Sequence, residues 1–258
     1  MKVLLFLFIV PFLLTNLMAQ IHKQTVEYKD GGQVLEGYLA YKGDLSGKVP
    51  AVVVVHEWTG INDYTKMRCE KLAELGYVAF AADIYGKGIR PANPQDAGKQ
   101  ATIYRSDRAL MRHRVQLAVD EVKKQKHVDV SKIGAIGYCF GGGCVLELAR
   151  SGADVKGVVS FHGNLDTPNL DDAKNIKGRV LVCHGADDPY VTTDALSTFI
   201  DEMKKAKVNY EIGYYSGAVH SFTNPASGND PSKGVAYNKV ADERSWESMK
   251  DFFKMIFN

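Results

Sequence analysis

The sequence contains few of the residues that mark a disulfide-stabilised or redox protein. Only four of its 258 residues are cysteines, at irregular spacings and without a Cys-x-x-Cys pair. A chain of this length can bury a sizeable core without disulfide bridges, and zinc or dithiol sites need paired cysteines. The spacing therefore suggests neither a zinc site nor a redox pair. Three cysteines are expected to be small buried residues: Cys69, Cys144 and Cys183.

The chain also lacks a block of charge of one sign. Its 32 Lys and Arg residues are interspersed with 30 Asp and Glu residues, for a net charge of +2. A nucleic-acid surface needs a concentrated basic patch, so we expect no nucleic-acid partner. With 45% hydrophobic and 24% charged residues and no internal repeat, the composition is that of a globular protein with one core.

Long hydrophobic runs are absent apart from one at the N-terminus. Met1-Lys2 is followed by an apolar stretch over residues 3–14 and then by Leu17-Met18-Ala19-Gln20. This pattern predicts a signal peptide over residues 1–19 and a single domain over residues 20–258. The alternative is an uncleaved N-terminal anchor, although spanning a bilayer takes about 20 apolar residues. We expect an exported protein, periplasmic or secreted, with no membrane span after cleavage.

Strand and helix patterns alternate along the rest of the chain. Residues 50–56 form a β-branched run typical of a strand buried on both faces of a parallel sheet. A glycine-containing turn at residues 30–32 joins two earlier strands. Helices are expected at 63–76, about 96–125, 140–150, 193–206 and 236–256, with strands between them. The order predicts an α/β fold with one doubly wound, mainly parallel sheet and helices on both faces.

A glycine-flanked cysteine follows the predicted strand at 132–137. The hexapeptide Gly137-Tyr138-Cys139-Phe140-Gly141-Gly142 is the nucleophile pattern of an α/β-hydrolase, with cysteine in place of serine. A strand that turns directly into a helix leaves no room for side chains two positions from the nucleophile. We expect an exposed sulfur beside helix N–H groups, which favour a thiolate. The alternative is a glycine-rich turn that holds a buried free cysteine.

An acid and a histidine follow two later strands. Asp187 and Asp188 lie after the strand at 178–184, and His220 lies after the strand at 208–215. Nucleophile, acid and histidine is the chain order expected for this fold, in which the acid orients the histidine and the histidine moves protons. The Gly-x-x-Asp-x-x-Val spacing favours Asp188 over Asp187. The alternatives are turn aspartates and a structural histidine.

The loop after the valine strand is predicted to complete the site. It reads His56-Glu57-Trp58-Thr59-Gly60 and should face the nucleophile. The backbone N–H groups of Trp58 and Phe140 would then form the oxyanion hole. Glu57 is either an acid at the active site or an exposed loop carboxylate. His162, at another strand end, could line the pocket.

Together these motifs resemble the dienelactone hydrolase (carboxymethylenebutenolidase) family. Gly-Tyr-Cys-Phe-Gly-Gly, His-Glu-Trp-Thr-Gly, Gly-Ala-Asp-Asp-Pro-Tyr-Val and Val-His-Ser-Phe occur in the expected order, and the similarity covers residues 25–256. The resemblance implies an α/β-hydrolase with a Cys–His–Asp triad, acting on enol-lactones or other small esters without a metal or organic cofactor. It also implies that Glu57 contacts the resting nucleophile and helps to generate the thiolate.

The sequence departs from the family at two arginine positions that hold a substrate carboxylate. Thr223-Asn224 stands at one of them, and Gly86-Lys87 follows Asp83-Ile84-Tyr85 at the other. Arg90 could substitute from nearby, and Tyr85 and Lys87 remain candidate pocket residues. Asparagine does not replace the arginine fork, and lysine supplies only a point charge. We therefore expect small esters or lactones other than dienelactone itself.

Two rival functions remain open at this stage. The same residues could carry out acyl transfer or thioester hydrolysis, and an exported binding protein could keep the fold without turnover. An intact set of Cys139, Asp188 and His220 favours the enzyme. The expected partner is a small-molecule ester or lactone. The sequence leaves the oligomeric state open, with a monomer as the default expectation.

Overall fold

The computed structural model describes residues 20–258, and all eight of their strands belong to one sheet in the order β1-β2-β4-β3-β5-β6-β7-β8. The six strands from β4 to β8 in this order run parallel, and β2 is antiparallel to both of its neighbours. The predicted signal peptide, residues 1–19, lies outside the described residues. The strands are β1 (Ile21–Asp30), β2 (Gln33–Lys42), β3 (Val49–Val55), β4 (Val78–Ala82), β5 (Val128–Tyr138), β6 (Gly157–Phe161), β7 (Arg179–Gly185) and β8 (Tyr210–Tyr215).

Helices cover both faces of this sheet, as the sequence predicts. The helices are α1 (Asp63–Glu74), α2 (Pro94–Ser106), α3 (Arg108–Lys123), α4 (Phe140–Arg150), α5 (Thr193–Ala206) and α6 (Lys239–Phe257). Successive side chains of a strand point to opposite faces, so Val53 and Val55 of β3 join a core with α2 to α5. Val52 and Val54 join the other core, with α1 and α6. Burial on both faces explains the continuous run of valines.

The predicted helix over residues 96–125 is wrong in one respect, because it is two helices. Asp107 separates α2 from α3 with a non-helical backbone (φ −123°, ψ 87°), and its side chain accepts a hydrogen bond from the N–H of Leu110. Aspartate is a favourable N-cap because its carboxylate satisfies an N–H group that lacks a helical partner. In α2, the hydroxyl of Tyr104 donates a 3.3 Å hydrogen bond to the carbonyl of Tyr85, in the loop that follows β4.

The remaining expectations for cysteines are confirmed. Cys69, Cys144 and Cys183 are buried and free. Burial raises the pKa of each of these thiols, to about 12 for Cys183. They are therefore neutral packing residues. Among residues 20–258, no helix has the length and apolar character needed to cross a membrane.

Candidate active site

Cys139 occupies a strained turn between β5 and α4. Its φ of 53° and ψ of −117° lie in a region that non-glycine residues rarely adopt. A Cβ atom on Gly137 would lie 1.9 Å from the carbonyl oxygen of Gly141, and one on Gly141 would lie 2.3 Å from the carbonyl oxygen of Val55. The glycines are therefore sterically required. The expectation of an exposed sulfur needs correction, because Cys139 is only 8% exposed.

The loops after β7 and β8 bring Asp188 and His220 to this turn. The Nε2 atom of His220 lies 3.1 Å from the Sγ atom of Cys139, and its Nδ1 atom lies 2.9 Å from Oδ2 of Asp188. Asp188 is buried and accepts a second hydrogen bond, from the N–H of Tyr190. Asp187 is exposed. The structure thus brings together the three predicted residues and selects Asp188 over Asp187 as the partner of the histidine.

The charges at this site favour a protonated His220. Burial opposes the imidazolium form, but the negative charges and hydrogen bonds of Cys139 and Asp188 prevail and raise the pKa of His220 to about 10. An imidazolium next to a cysteine stabilises the thiolate, which is the nucleophilic form. Chemically, the arrangement can hold a thiolate–imidazolium pair oriented by a carboxylate.

Glu57 is buried beside the site, and its hydrogen bonds are to Ser221 and Asn224. It is 7% exposed, and its carboxylate accepts hydrogen bonds from Oγ of Ser221 at 3.0 Å and Nδ2 of Asn224 at 2.7 Å. Burial raises the pKa of Glu57, and the two donors partly offset that effect. The alternative of an exposed carboxylate is therefore wrong. The implied contact with the nucleophile is not seen in this arrangement, in which the sulfur of Cys139 is bonded to His220.

Two backbone N–H groups that the sequence predicts as oxyanion donors belong to Phe140 and Trp58. Phe140 is the first residue of α4, and Trp58 lies in the loop after β3. Within residues 20–258, neither amide donates a hydrogen bond to a protein group. The carbonyl of Trp58 accepts a 2.9 Å hydrogen bond from the hydroxyl of Tyr85, which anchors the loop. Both amides therefore remain candidate oxyanion donors.

The predicted pocket residues after β4 have other roles. Tyr85 is buried against Phe140, with ring centroids 5.5 Å apart, so it supports the site from beneath. Lys87 forms an ion pair with Glu27 of β1, at the edge of the sheet, so its placement in the pocket is wrong. Arg90 donates to the carbonyls of its own loop and lies 3.4 Å from Asp83. These contacts leave the loop without a free cation for a substrate carboxylate.

His162 is buried beneath the nucleophile and does not line a pocket. Its Nδ1 atom accepts a 3.1 Å hydrogen bond from the N–H of Cys139, and its Nε2 atom lies 2.7 Å from Oγ1 of Thr223. The expectation that it lines the pocket is therefore wrong, because both ring nitrogens are engaged within the protein. Its φ of 40° is a second strained backbone conformation at the site.

Several residues of the site were not predicted from the sequence. Arg68 of α1 donates to the carbonyl of Thr223 and forms a 2.6 Å ion pair with Asp242 of α6. It ties the loop that carries His220 to two helices distant in sequence. Ser221 and Asn224 hold Glu57, and their position directly after the histidine was the only available signal. Arg68 and Asp242 are 174 residues apart, and no sequence pattern links them.

Comparison with known proteins shows the family of this chain. The model of the dienelactone hydrolase family matches residues 35–257. The chain belongs to the dienelactone hydrolase family. The α/β-hydrolase fold and the resemblance inferred from the motifs are thereby confirmed, and the protein is a hydrolase of this family. Among residues 20–258, no three His, Cys, Asp or Glu side chains are grouped so as to hold a metal ion.

Individual members of the family cover the chain closely. A dienelactone hydrolase-like promiscuous phosphotriesterase from metagenomic libraries is 40% identical with a TM-score of 0.88, covering 92% of this chain and 99% of that one. A candidate carboxymethylenebutenolidase of Aquifex aeolicus is 32% identical over 236 residues, 90% of this chain and 97% of that protein. The acylaminoacyl peptidase of Pyrococcus horikoshii shares the fold, with a TM-score of 0.70 at 16% identity. That alignment covers 92% of this chain and 42% of the peptidase chain.

Proposed function

We propose that this dienelactone hydrolase family member cleaves small esters or lactones, with Cys139 as the nucleophile. The observation that carries the proposal is the hydrogen-bonded series from Cys139 through His220 to Asp188, with distances of 3.1 Å and 2.9 Å. These contacts join a nucleophile, a proton carrier and an orienting carboxylate, the parts that covalent catalysis of acyl transfer requires.

The proposed reaction proceeds in two halves. His220 holds the thiol proton while the Cys139 thiolate attacks the carbonyl carbon, and the N–H groups of Trp58 and Phe140 stabilise the resulting oxyanion. The C–O bond to the leaving group then breaks, and His220 donates its proton to the departing alkoxide. In the second half, His220 removes a proton from water as the water attacks the acyl-cysteine. The thiolate leaves, the carboxylic acid is released and the starting state returns.

We propose that the substrate is uncharged near the scissile bond. Asn224 stands where the family places one substrate-binding arginine, and its amide is bonded to Glu57. Lys87 pairs with Glu27, and the Arg90 guanidinium is held by its own loop. A substrate carboxylate there would also lie next to the buried Glu57, which repels it whenever the Glu57 carboxyl is ionised. Neutral aryl or alkyl esters and lactones fit these contacts better than dienelactone.

Phosphotriester cleavage is a second candidate activity. A relative that is 40% identical over nearly its whole length is described as a promiscuous phosphotriesterase. A phosphotriester is a neutral electrophile that presents one oxygen to the oxyanion donors, so it does not need a cation such as Arg90 to bind a carboxylate. A panel of aryl esters, lactones, thioesters and phosphotriesters distinguishes this activity from ester hydrolysis, thioester hydrolysis and, with added alcohols, acyl transfer.

The decisive experiment compares the wild-type protein with Cys139→Ala. We expect the variant to keep the fold and lose activity on an aryl ester by about 10⁴-fold or more. Mass spectrometry of the wild-type protein with a slow ester should show an acyl group on the peptide that contains Cys139. Undiminished turnover in the variant would refute the assignment. Tight binding of esters without an adduct or turnover would favour the non-catalytic alternative.

We also propose that the protein is exported after removal of residues 1–19. The proposal is supported by the sequence alone: a lysine, an apolar stretch and Ala19-Gln20. N-terminal sequencing of the protein expressed with its own leader in a Gram-negative host tests it. A mature chain that starts at Gln20 and is recovered from the periplasm is expected. Retention of Met1 on a membrane fraction would indicate an anchor instead.

A further inference from the structure

The segment that follows β6 contacts the nucleophile through its backbone amide. The N–H of Cys139 is shared between two acceptors, the carbonyl of Phe161 at 3.0 Å and Nδ1 of His162 at 3.1 Å. A Cβ atom on Gly163 would lie 2.7 Å from Cα of Gly142, so this segment lies directly against the start of α4. His162, which follows directly after β6, therefore supports the nucleophile turn between β5 and α4.

The hydrogen bonds of His162 determine its tautomer. Because Nδ1 accepts the N–H of Cys139, the ring proton must lie on Nε2, which then donates to Oγ1 of Thr223 at 2.7 Å. Thr223 is in turn hydrogen-bonded to the hydroxyl of Tyr64, 2.6 Å away. Burial and the positive charges of His220 and Arg68 hold the pKa of His162 well below its usual range. The ring is therefore neutral and fixed at both nitrogens.

The same ring also contacts the base. The rings of His162 and His220 meet edge to face, with centroids 5.3 Å apart, and His162 is fully buried. One rigid imidazole thus touches the backbone of the nucleophile on one side and the ring of the proton carrier on the other. The Sγ atom of Cys139 and the Nε2 atom of His220 lie 3.1 Å apart. Both of these residues contact His162.

We infer that His162 is a positioning residue that sets the distance and orientation between the sulfur of Cys139 and the imidazole of His220. The inference rests on the proposed function. A residue with only a packing role would have no need of a polar ring at a fully buried position, or of a left-handed backbone conformation. Strain of this kind is found where the surrounding structure must hold a functional geometry.

Two substitutions that tolerate a φ of 40° test the inference without breaking the backbone. His162→Gly removes the ring and both of its hydrogen bonds, whereas His162→Asn keeps an acceptor at the position of Nδ1. Tyr64→Phe is the matched control, because it removes the outer hydroxyl of the same series, which also accepts from Arg68, but keeps His162 and both of its hydrogen bonds. All three proteins are checked for folding by circular dichroism and thermal unfolding.

The readouts are kcat and KM on an aryl ester and the rate at which iodoacetamide alkylates Cys139. Since a misplacement of about 1 Å can cost about 100-fold in rate, we expect His162→Gly to lower kcat and the alkylation rate by about 10- to 100-fold with KM nearly unchanged. His162→Asn should recover most of that loss. Tyr64→Phe should unfold at a lower temperature with both rates unchanged.

Each contrary outcome points to a different conclusion. A folded His162→Gly protein with wild-type kcat and alkylation rate overturns the positioning role and leaves the proposed function intact. A wild-type protein whose Cys139 neither turns over esters nor reacts faster than free cysteine contradicts the proposed function itself. If His162→Gly does not fold, Thr223→Val removes the acceptor of the Nε2 proton, and wild-type rates in that variant overturn the inference.

Discussion

The side-chain amide of Asn224 donates a 2.7 Å hydrogen bond to the carboxylate of Glu57 across 167 residues of sequence. Together with Ser221, it supplies a hydrogen bond to each oxygen of this buried carboxylate. The sulfur of Cys139 is paired with His220. Asn224, at a position where the family resemblance implies a substrate-binding arginine, is thus bonded to an acid.

Removal of this donor should destabilise the protein. In Asn224→Ala, the buried carboxyl group of Glu57 loses one of its two hydrogen-bond donors, for which we expect a loss of about 2 kcal/mol in the free energy of unfolding at pH 8. Urea unfolding measures it. Ser227→Ala is the control, because Ser227 donates to Ser221 and does not touch Glu57. Equal losses in the two variants would show that the Asn224–Glu57 hydrogen bond contributes no more to stability than the Ser227–Ser221 bond.

Glu57 should make stability depend on pH. Burial raises the pKa of Glu57 in the folded state above its unfolded value. Below the unfolded pKa the carboxyl is neutral in both states, and as pH rises toward the folded pKa the unfolded state loses its proton first, so stability falls. We expect Glu57→Gln to be more stable than the wild type at pH 8, with the difference vanishing at acidic pH. Denaturant unfolding of both proteins from pH 4 to pH 8 checks this, and a difference independent of pH would contradict it.

Asp188 should set the alkaline limit of activity. His220 must be protonated to assist the leaving group, so wild-type kcat/KM is expected to decline as the pH rises through about 10. Asp188→Asn removes a charge that raises the pKa of His220, so the decline should move to lower pH and kcat should fall by about 10²- to 10⁴-fold. Asp187→Asn, at the exposed neighbour, should leave the pH profile unchanged. The same shift in both variants would rule out the specific role of Asp188.

The nucleophile turn should tolerate no side chain at Gly137. A Cβ atom there would lie 1.9 Å from the backbone oxygen of Gly141, which cannot move without distorting α4. We expect Gly137→Ala to cost about 3 kcal/mol or more, or to prevent folding. Gly98→Ala, in α2 with open space around its Cα, should stabilise by about 1 kcal/mol. Thermal unfolding compares the two, and a well-folded Gly137→Ala protein would show that the turn is not strained as described.

Local rules made most of the fold predictable. The valine run of β3 and the glycines around Cys139 each satisfy a short-range steric or burial requirement, so their structure could be read from neighbouring residues. The bounds of α4 and α5 agree with the prediction for the same reason. The break at Asp107 was missed because an N-cap aspartate inside a helical pattern resembles an ordinary helix residue until the backbone turns away.

Contacts between distant segments could not be read in this way. Lys87 had the right charge for a substrate pocket, but its ammonium group pairs with Glu27 of the edge strand. His162 lay at a strand end like the other site residues, and only the packing of β6 against β5 turned its ring beneath Cys139.

The sequence by itself determined the family, the order of strands and helices along the chain, and the candidates Cys139, Asp188 and His220. Each of these follows from a short local pattern: a motif around a site residue, or a run whose burial pattern fits a strand or a helix. Only the tertiary structure decided that Asp188 and not Asp187 meets the histidine, that Glu57 is held by Asn224, and that His162 supports the nucleophile from below. Those contacts join side chains from separate loops, and their distances are set by how the sheet and helices pack rather than by any local pattern.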